Sequence, residues 1–107
     1  LPQAKFKIEI KSDYEGFISF IDAEKIGLLS LDIGAGRIRK NDIIDYSAGI
    51  YIPLKLNDYV LKGDVIGIIY HSREDLNLNQ VVKDYKSAFT FKENKLKDIS
   101  MVFSVIS

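Results

Sequence analysis

Near the start of the chain, apolar and charged side chains alternate: Phe6, Ile8 and Ile10 stand between Lys5, Lys7, Glu9 and Lys11. A period of two sends the two sets to opposite faces of an extended backbone, so this stretch is predicted as a half-buried strand. Similar short segments follow, each cut off by turn residues. Residues 13–16 turn the chain, and Gly16–Ile21 ("GFISFI") reads as a second strand, apolar enough to lie inside the fold. Ile50, Ile52, Leu54 and Leu56 then alternate with Tyr51, Pro53 and Lys55, which are expected to point outward. Pro53 implies an edge position, because proline lacks the N–H that a central strand needs. Asn57-Asp58 and Lys62-Gly63-Asp64 are turn signals around a brief extended piece, and residues 65–70 ("VIGIIY") form the next strand. After a charged link over 92–97, Ile99, Met101, Phe103 and Val105 alternate again and read as a closing strand.

Two segments break this rhythm with helical spacing. Asp22 is a plausible N-cap, its carboxylate accepting from free amides of the next turn, and Ile26, Leu29 and Ile33 recur as one face of a helix over 23–33. From Leu78, the positions Val81, Val82, Tyr85, Ala88 and Phe89 mark the apolar face of a second helix, with Lys83, Asp84 and Lys86 on the other side. The chain therefore reads as α+β, a small twisted, mainly antiparallel sheet with two helices. Its 107 residues fit a single domain, 1–107, burying roughly two thirds of the surface that the extended chain exposes. The only methionine is Met101 and the first residue is Leu1, which points to a fragment of a longer product.

Composition excludes several functional classes. With 15 basic and 15 acidic residues there is no overall field to attract nucleic acid or an anionic membrane. The longest apolar run, 65–70, is too short to span a bilayer, and the N-terminus lacks the order of a signal peptide. The absence of cysteine removes thiolate metal sites and thiol nucleophiles, and it suits a cytoplasmic location.

The stretch "DIGAGRIRK" (32–40) has the glycines and cations of a phosphate-cradling loop, but its polarity is wrong for one. Phosphate binds at helix N-termini, where free amides and the positive dipole end converge. Here the glycines follow a helix. Gly34 or Gly36 is expected to end it in a left-handed cap, with Arg37, Arg39 and Lys40 close to the exposed carbonyls. Residue 39 is arginine where the dinucleotide fingerprint has glycine, and no Gly-Lys-Ser/Thr triplet occurs. His71 and Ser72 are neighbours in a strand and so point to opposite faces, a poor arrangement for a base and its nucleophile; His71 reads as a strand-end residue. Asp22, Asp42 and Asp45 lack the spacing of a calcium loop. Phe17, Phe20, Tyr85, Phe89 and Phe103 are assigned to core packing, since no RNA-reading motif accompanies them. No catalytic, cofactor-binding or metal-ligating residue is assigned.

Taken together, "GFISFIDAEKIG", "DIGAGRIRKNDIIDYSAGI" and "KLNDYVLKGDVIGIIY" resemble the C-terminal domain of pyrimidine nucleoside phosphorylases and thymidine phosphorylases. The most distinctive element is Gly34-Ala35-Gly36-Arg37 followed by Lys40, Asp42 and Ile44-Asp45. The resemblance implies an α/β-hammerhead fold whose hairpins are similar to those of biotinyl and lipoyl carriers. It implies a parent enzyme that cleaves a pyrimidine nucleoside with phosphate, giving free base and a pentose 1-phosphate. In that family the catalytic residues belong to preceding domains, so no catalytic residue transfers here. What the resemblance does imply is a supporting role against those preceding catalytic domains, in a parent that dimerises chiefly through its helical domain. Gly34, Gly36, Arg37 and Lys40 are the structural or interdomain candidates. The chain departs from the family at Leu29 and Ser30, where small residues are favoured, and at Asn57, where the turn has glycine; asparagine tolerates the left-handed conformation. Two other expectations stand beside this one. A carrier domain would need a lysine at a hairpin tip, and Lys55, between Leu54 and Leu56, or Lys62, between Leu61 and Gly63, would have to serve. The other is an independent binding module.

Overall fold

The computed structural model describes residues 3–35 and 47–94. Six strands and two helices occur among them: β1 (Phe6–Lys11), β2 (Gly16–Ile21), α1 (Ala23–Asp32), β3 (Gly49–Tyr51), β4 (Tyr59–Val60), β5 (Val65–His71), α2 (Leu78–Ser87) and β6 (Phe89–Lys92). The domain is α+β, as the patterning predicts. Its strands are shared between two three-stranded antiparallel sheets, in the orders β1-β5-β3 and β4-β2-β6. Odd-numbered strands build one sheet and even-numbered strands the other. No two consecutive strands are therefore neighbours, and no β-hairpin occurs among the described strands.

Local chemistry accounts for most element boundaries. Asp22 caps α1, its Oδ1 accepting the Lys25 N–H at 3.2 Å, and Asn77 does the same for α2 through the Gln80 N–H at 3.1 Å. β3 stops at Tyr51 on the edge of its sheet, two residues short of Pro53. Two similar turns carry the chain into and out of β4. In each, the fourth residue donates its backbone N–H to the first residue's carbonyl and accepts that residue's N–H on its carboxylate: Asp58 with Lys55, and Asp64 with Leu61. The third residue has positive φ, 71° at Asn57 and 93° at Gly63. Asn57 thus adopts the conformation expected of an asparagine standing in for glycine.

Several expectations are corrected. α2 ends at Ser87, Ala88 is its C-cap, and Phe89 opens strand β6 in place of a last helical turn. The charged link accordingly begins later than 92. Phe20 was assigned to the core but is 55% exposed. The pairing of β2 with β6 shifts register between Ile18 and Phe20, so Ser19 is an extra residue and Phe20 lies opposite exposed Thr90. Phe17 is only half-buried, edge-on to Tyr59 at 4.8 Å. Phe103, together with the closing strand expected over 99–105, lies outside the described residues.

The core joins both sheets and both helices: Ile10, Ile18, Leu29, Ile33, Val60, Ile66, Ile69, Val81, Tyr85, Ala88 and Phe89. Leu29 is buried in this core, and the Ser30 hydroxyl donates to the Ile26 carbonyl at 3.1 Å. Tyr85 makes the most specific contact. β1 and β5 lose register between Ile10 and Lys11, which pair with Gly67 and Val65, so Ile66 has no opposite residue and its carbonyl leaves the ladder. The Tyr85 hydroxyl donates to that carbonyl. Room for the ring exists because residue 67 is glycine, where a Cβ would fall 2.2 Å from the phenol.

Burial pushes the Tyr85 phenol well above its ordinary 10.0, so it remains a donor across the stable range. Tyr85→Phe leaves a buried carbonyl without its donor and should lower unfolding free energy by about 1–3 kcal/mol in urea titrations at pH 7. Because the folded-state value lies above the unfolded one, the phenol's contribution is intact below about pH 10 and is lost as pH rises beyond it. The wild-type chain should therefore lose stability more steeply above that pH than Tyr85→Phe does.

Candidate functional site

The glycine bend lies at the carbonyl end of α1. Ile33 is the C-cap, and Gly34 follows with φ 95°, the left-handed region that suits glycine. The Gly34 N–H donates to Leu31 O at 3.1 Å and the Ala35 N–H to Ser30 O at 2.9 Å. These two bonds are the reciprocal pair of a Schellman motif, with Ala35 packed against the core. Of the two glycines left open by the sequence, Gly34 is the one seen to end the helix. Its amide and that of Ala35 are both spent on carbonyls of the helix they end. Gly36, Arg37 and Lys40 lie outside the described residues, as do Arg39, Asp42 and Asp45.

A cation does sit at this helix end, though not one the sequence pointed to. Arg73, beyond the end of β5, donates from Nη1 to the Asp32 carbonyl at 2.8 Å, where the negative end of the helix dipole stabilises a guanidinium. Forty-one positions separate the partners, so no spacing rule could have found the pair. The same link from β5 to α2 holds His71 and Ser72. His71 is the last residue of β5, as expected, and only 2% exposed. Its Nδ1 accepts the Arg73 backbone N–H at 3.2 Å, which puts the proton of the neutral ring on Nε2. Among the described residues that buried Nε2–H has no acceptor. Ser72 Oγ accepts the Lys5 N–H at 3.1 Å and lies 3.5 Å from Ser47 Oγ, so serine and histidine engage different partners.

Beside His71 is a partly open cavity of about 260 Å³, walled by Phe6, Ile8, Leu76 and Leu78. Lys7, Arg73 and Glu74 form its polar rim. The Phe6 ring lies over the imidazole at 5.1 Å between centroids. Among the described residues no group of three potential ligands is placed to hold a metal ion, and no helix is long and apolar enough to cross a membrane.

The lysines of the carrier reading stand elsewhere. Lys55 begins the turn before β4 and Lys62 lies in the turn after it. Both turns connect strands of different sheets, so neither lysine is displayed at a hairpin tip.

The fold and the capped glycine bend define a small α+β domain without a metal cluster among its described residues. Comparison with known proteins makes this specific: the pyrimidine nucleoside phosphorylase C-terminal domain family matches residues 17–92, and the chain belongs to it. A thymidine phosphorylase of Metamycoplasma hominis is 39% identical over 101 residues, covering 94% of this chain and 36% of that protein. A pyrimidine-nucleoside phosphorylase of Staphylococcus aureus is 35% identical over 94 residues, covering 88% of this chain and 21% of its own length. The chain thus spans about a third of one relative and a fifth of the other.

Replacing Gly34 should test the helix end directly. Gly34→Ala places a Cβ in the left-handed region and should lower stability by about 1 kcal/mol, while Gly34→Asn should lose less. Equilibrium urea unfolding of the three proteins checks the order.

Proposed function

We propose that this chain is the non-catalytic supporting domain of a pyrimidine nucleoside phosphorylase, whose catalytic domains precede it in one polypeptide. The whole enzyme would transfer the pentose of a pyrimidine nucleoside to inorganic phosphate, releasing free base and a pentose 1-phosphate. Such a reaction needs fixed cations and donors around the phosphate and the departing base, where charge develops. The observation that carries the reading is the polarity of the bend at Gly34: the amides of Gly34 and Ala35 close on their own helix, so the described part of the phosphate-like stretch does structural work. Membership of the C-terminal domain family, and the small share of each relative that the chain spans, support the same assignment. In this reading Gly34, Gly36, Arg37 and Lys40 form a corner against the catalytic domains. The parent is a cytoplasmic homodimer whose subunits meet mainly through another domain, and this domain stiffens the phosphate-holding part.

Incubated with uridine or thymidine and phosphate, the 107-residue chain should release no free base by chromatography, while the polypeptide with its preceding domains should. Turnover by the chain alone overturns the proposal. In the longer polypeptide, Arg37→Glu should reduce turnover or loosen domain packing, and unchanged kinetics together with unchanged stability would remove Arg37 from the corner.

A further inference from the structure

Among the features that support and folding do not absorb, the pocket beside His71 combines three that point the same way. It holds a buried hydrogen-bond donor that has no acceptor among the described residues, a standing penalty unless something supplies an oxygen. It leaves Phe6 and Leu78 partly in water, 40% and 49% exposed, next to half-buried Ile8 and Leu76. Its rim carries two cations, Lys7 and Arg73, against one acid, Glu74. Among the described strands β1 is also an edge of its sheet, paired with β5 on one side only.

We infer that this pocket is where the preceding domains of the longer polypeptide dock, inserting an apolar side chain beside a carboxylate or carbonyl oxygen. This rests on the supporting-domain reading above. The apolar side chain fills the space between Phe6 and Leu78, the oxygen accepts from His71 Nε2–H as the exposed Phe6 ring turns aside, and the rim cations favour an acidic neighbour. The occupant is argued from what the chain lacks: relatives of this family carry roughly two to four times as much additional polypeptide, a tethered surface at high effective concentration. The location also joins the pocket to the glycine bend. Arg73 lines the one and binds the last helical carbonyl before the other, so docking at His71 continues directly onto the corner at Gly34.

Hydrogen–deuterium exchange of the 107-residue chain, compared with the same residues in the longer polypeptide, tests this. Amides of residues 6–8 and 76–78 should exchange at least about tenfold more slowly in the longer polypeptide. Lys7→Glu combined with Leu78→Ser changes only exposed side chains and should leave the isolated chain folded by circular dichroism. In the longer polypeptide the double variant should abolish that protection. Protection confined to other surfaces would overturn this inference and leave the supporting role standing. Identical exchange everywhere would remove both. Protection in the isolated chain that grows with its own concentration would assign the pocket to a second copy and likewise overturn the inference.

Discussion

The most specific contact between the two halves of the fold is the Tyr85 hydroxyl on the carbonyl of Ile66. β5 is the middle strand of the first sheet, and its bulge at Ile66 turns a backbone oxygen out of the ladder and into the core. α2 answers that oxygen with a phenol from its buried face, over a glycine that leaves the ring room. α2 then delivers the chain into β6, an edge of the second sheet. The position of that sheet relative to the first is therefore constrained by a polar bond as well as by the shared apolar core, and in such a bond geometry counts for more than contact area.

The direction of the peptide dipole decides what the glycine bend can do. Placed before a helix, the same residues would offer amides to phosphate; placed after one, they satisfy carbonyls and accept cations. Arg73 illustrates the rule from an unexpected quarter, reaching back to the end of α1 from beyond β5. On the proposed reading, a domain that spends the bend at Gly34 in this way contributes shape and rigidity to an enzyme and leaves bond-making to other parts of the polypeptide.

Much of the architecture was legible because local chemistry dictates it. The alternation around Ile8 and Ile10 gave β1, Asp22 gave the start of α1, Pro53 put β3 on an edge, and the glycine bend gave the helix end. What was missed has physical reasons. β6 is four residues long, and its first apolar residue, Phe89, continues the spacing of Val81, Tyr85 and Ala88, so a helix absorbed it. Phe20 obeys a period of two until one inserted residue reverses it, and a bulge leaves no mark in composition. The burial of His71, its unpartnered nitrogen and the Arg73 contact depend on segments far apart in the chain. His71 is the single histidine of the sequence and reads there only as a strand-end residue, which was the one available signal of the pocket.

The division of strands into odd and even has a consequence for how the domain can be taken apart. Among the described strands, each passage from one to the next leaves one sheet for the other, so this part of the polypeptide laces the sheets together at every step, twice within the short span around β4. No single cut separates the molecule into two self-contained sheets. Neither layer can be assembled from a continuous stretch of sequence, and each must wait for most of the chain to arrive before it closes.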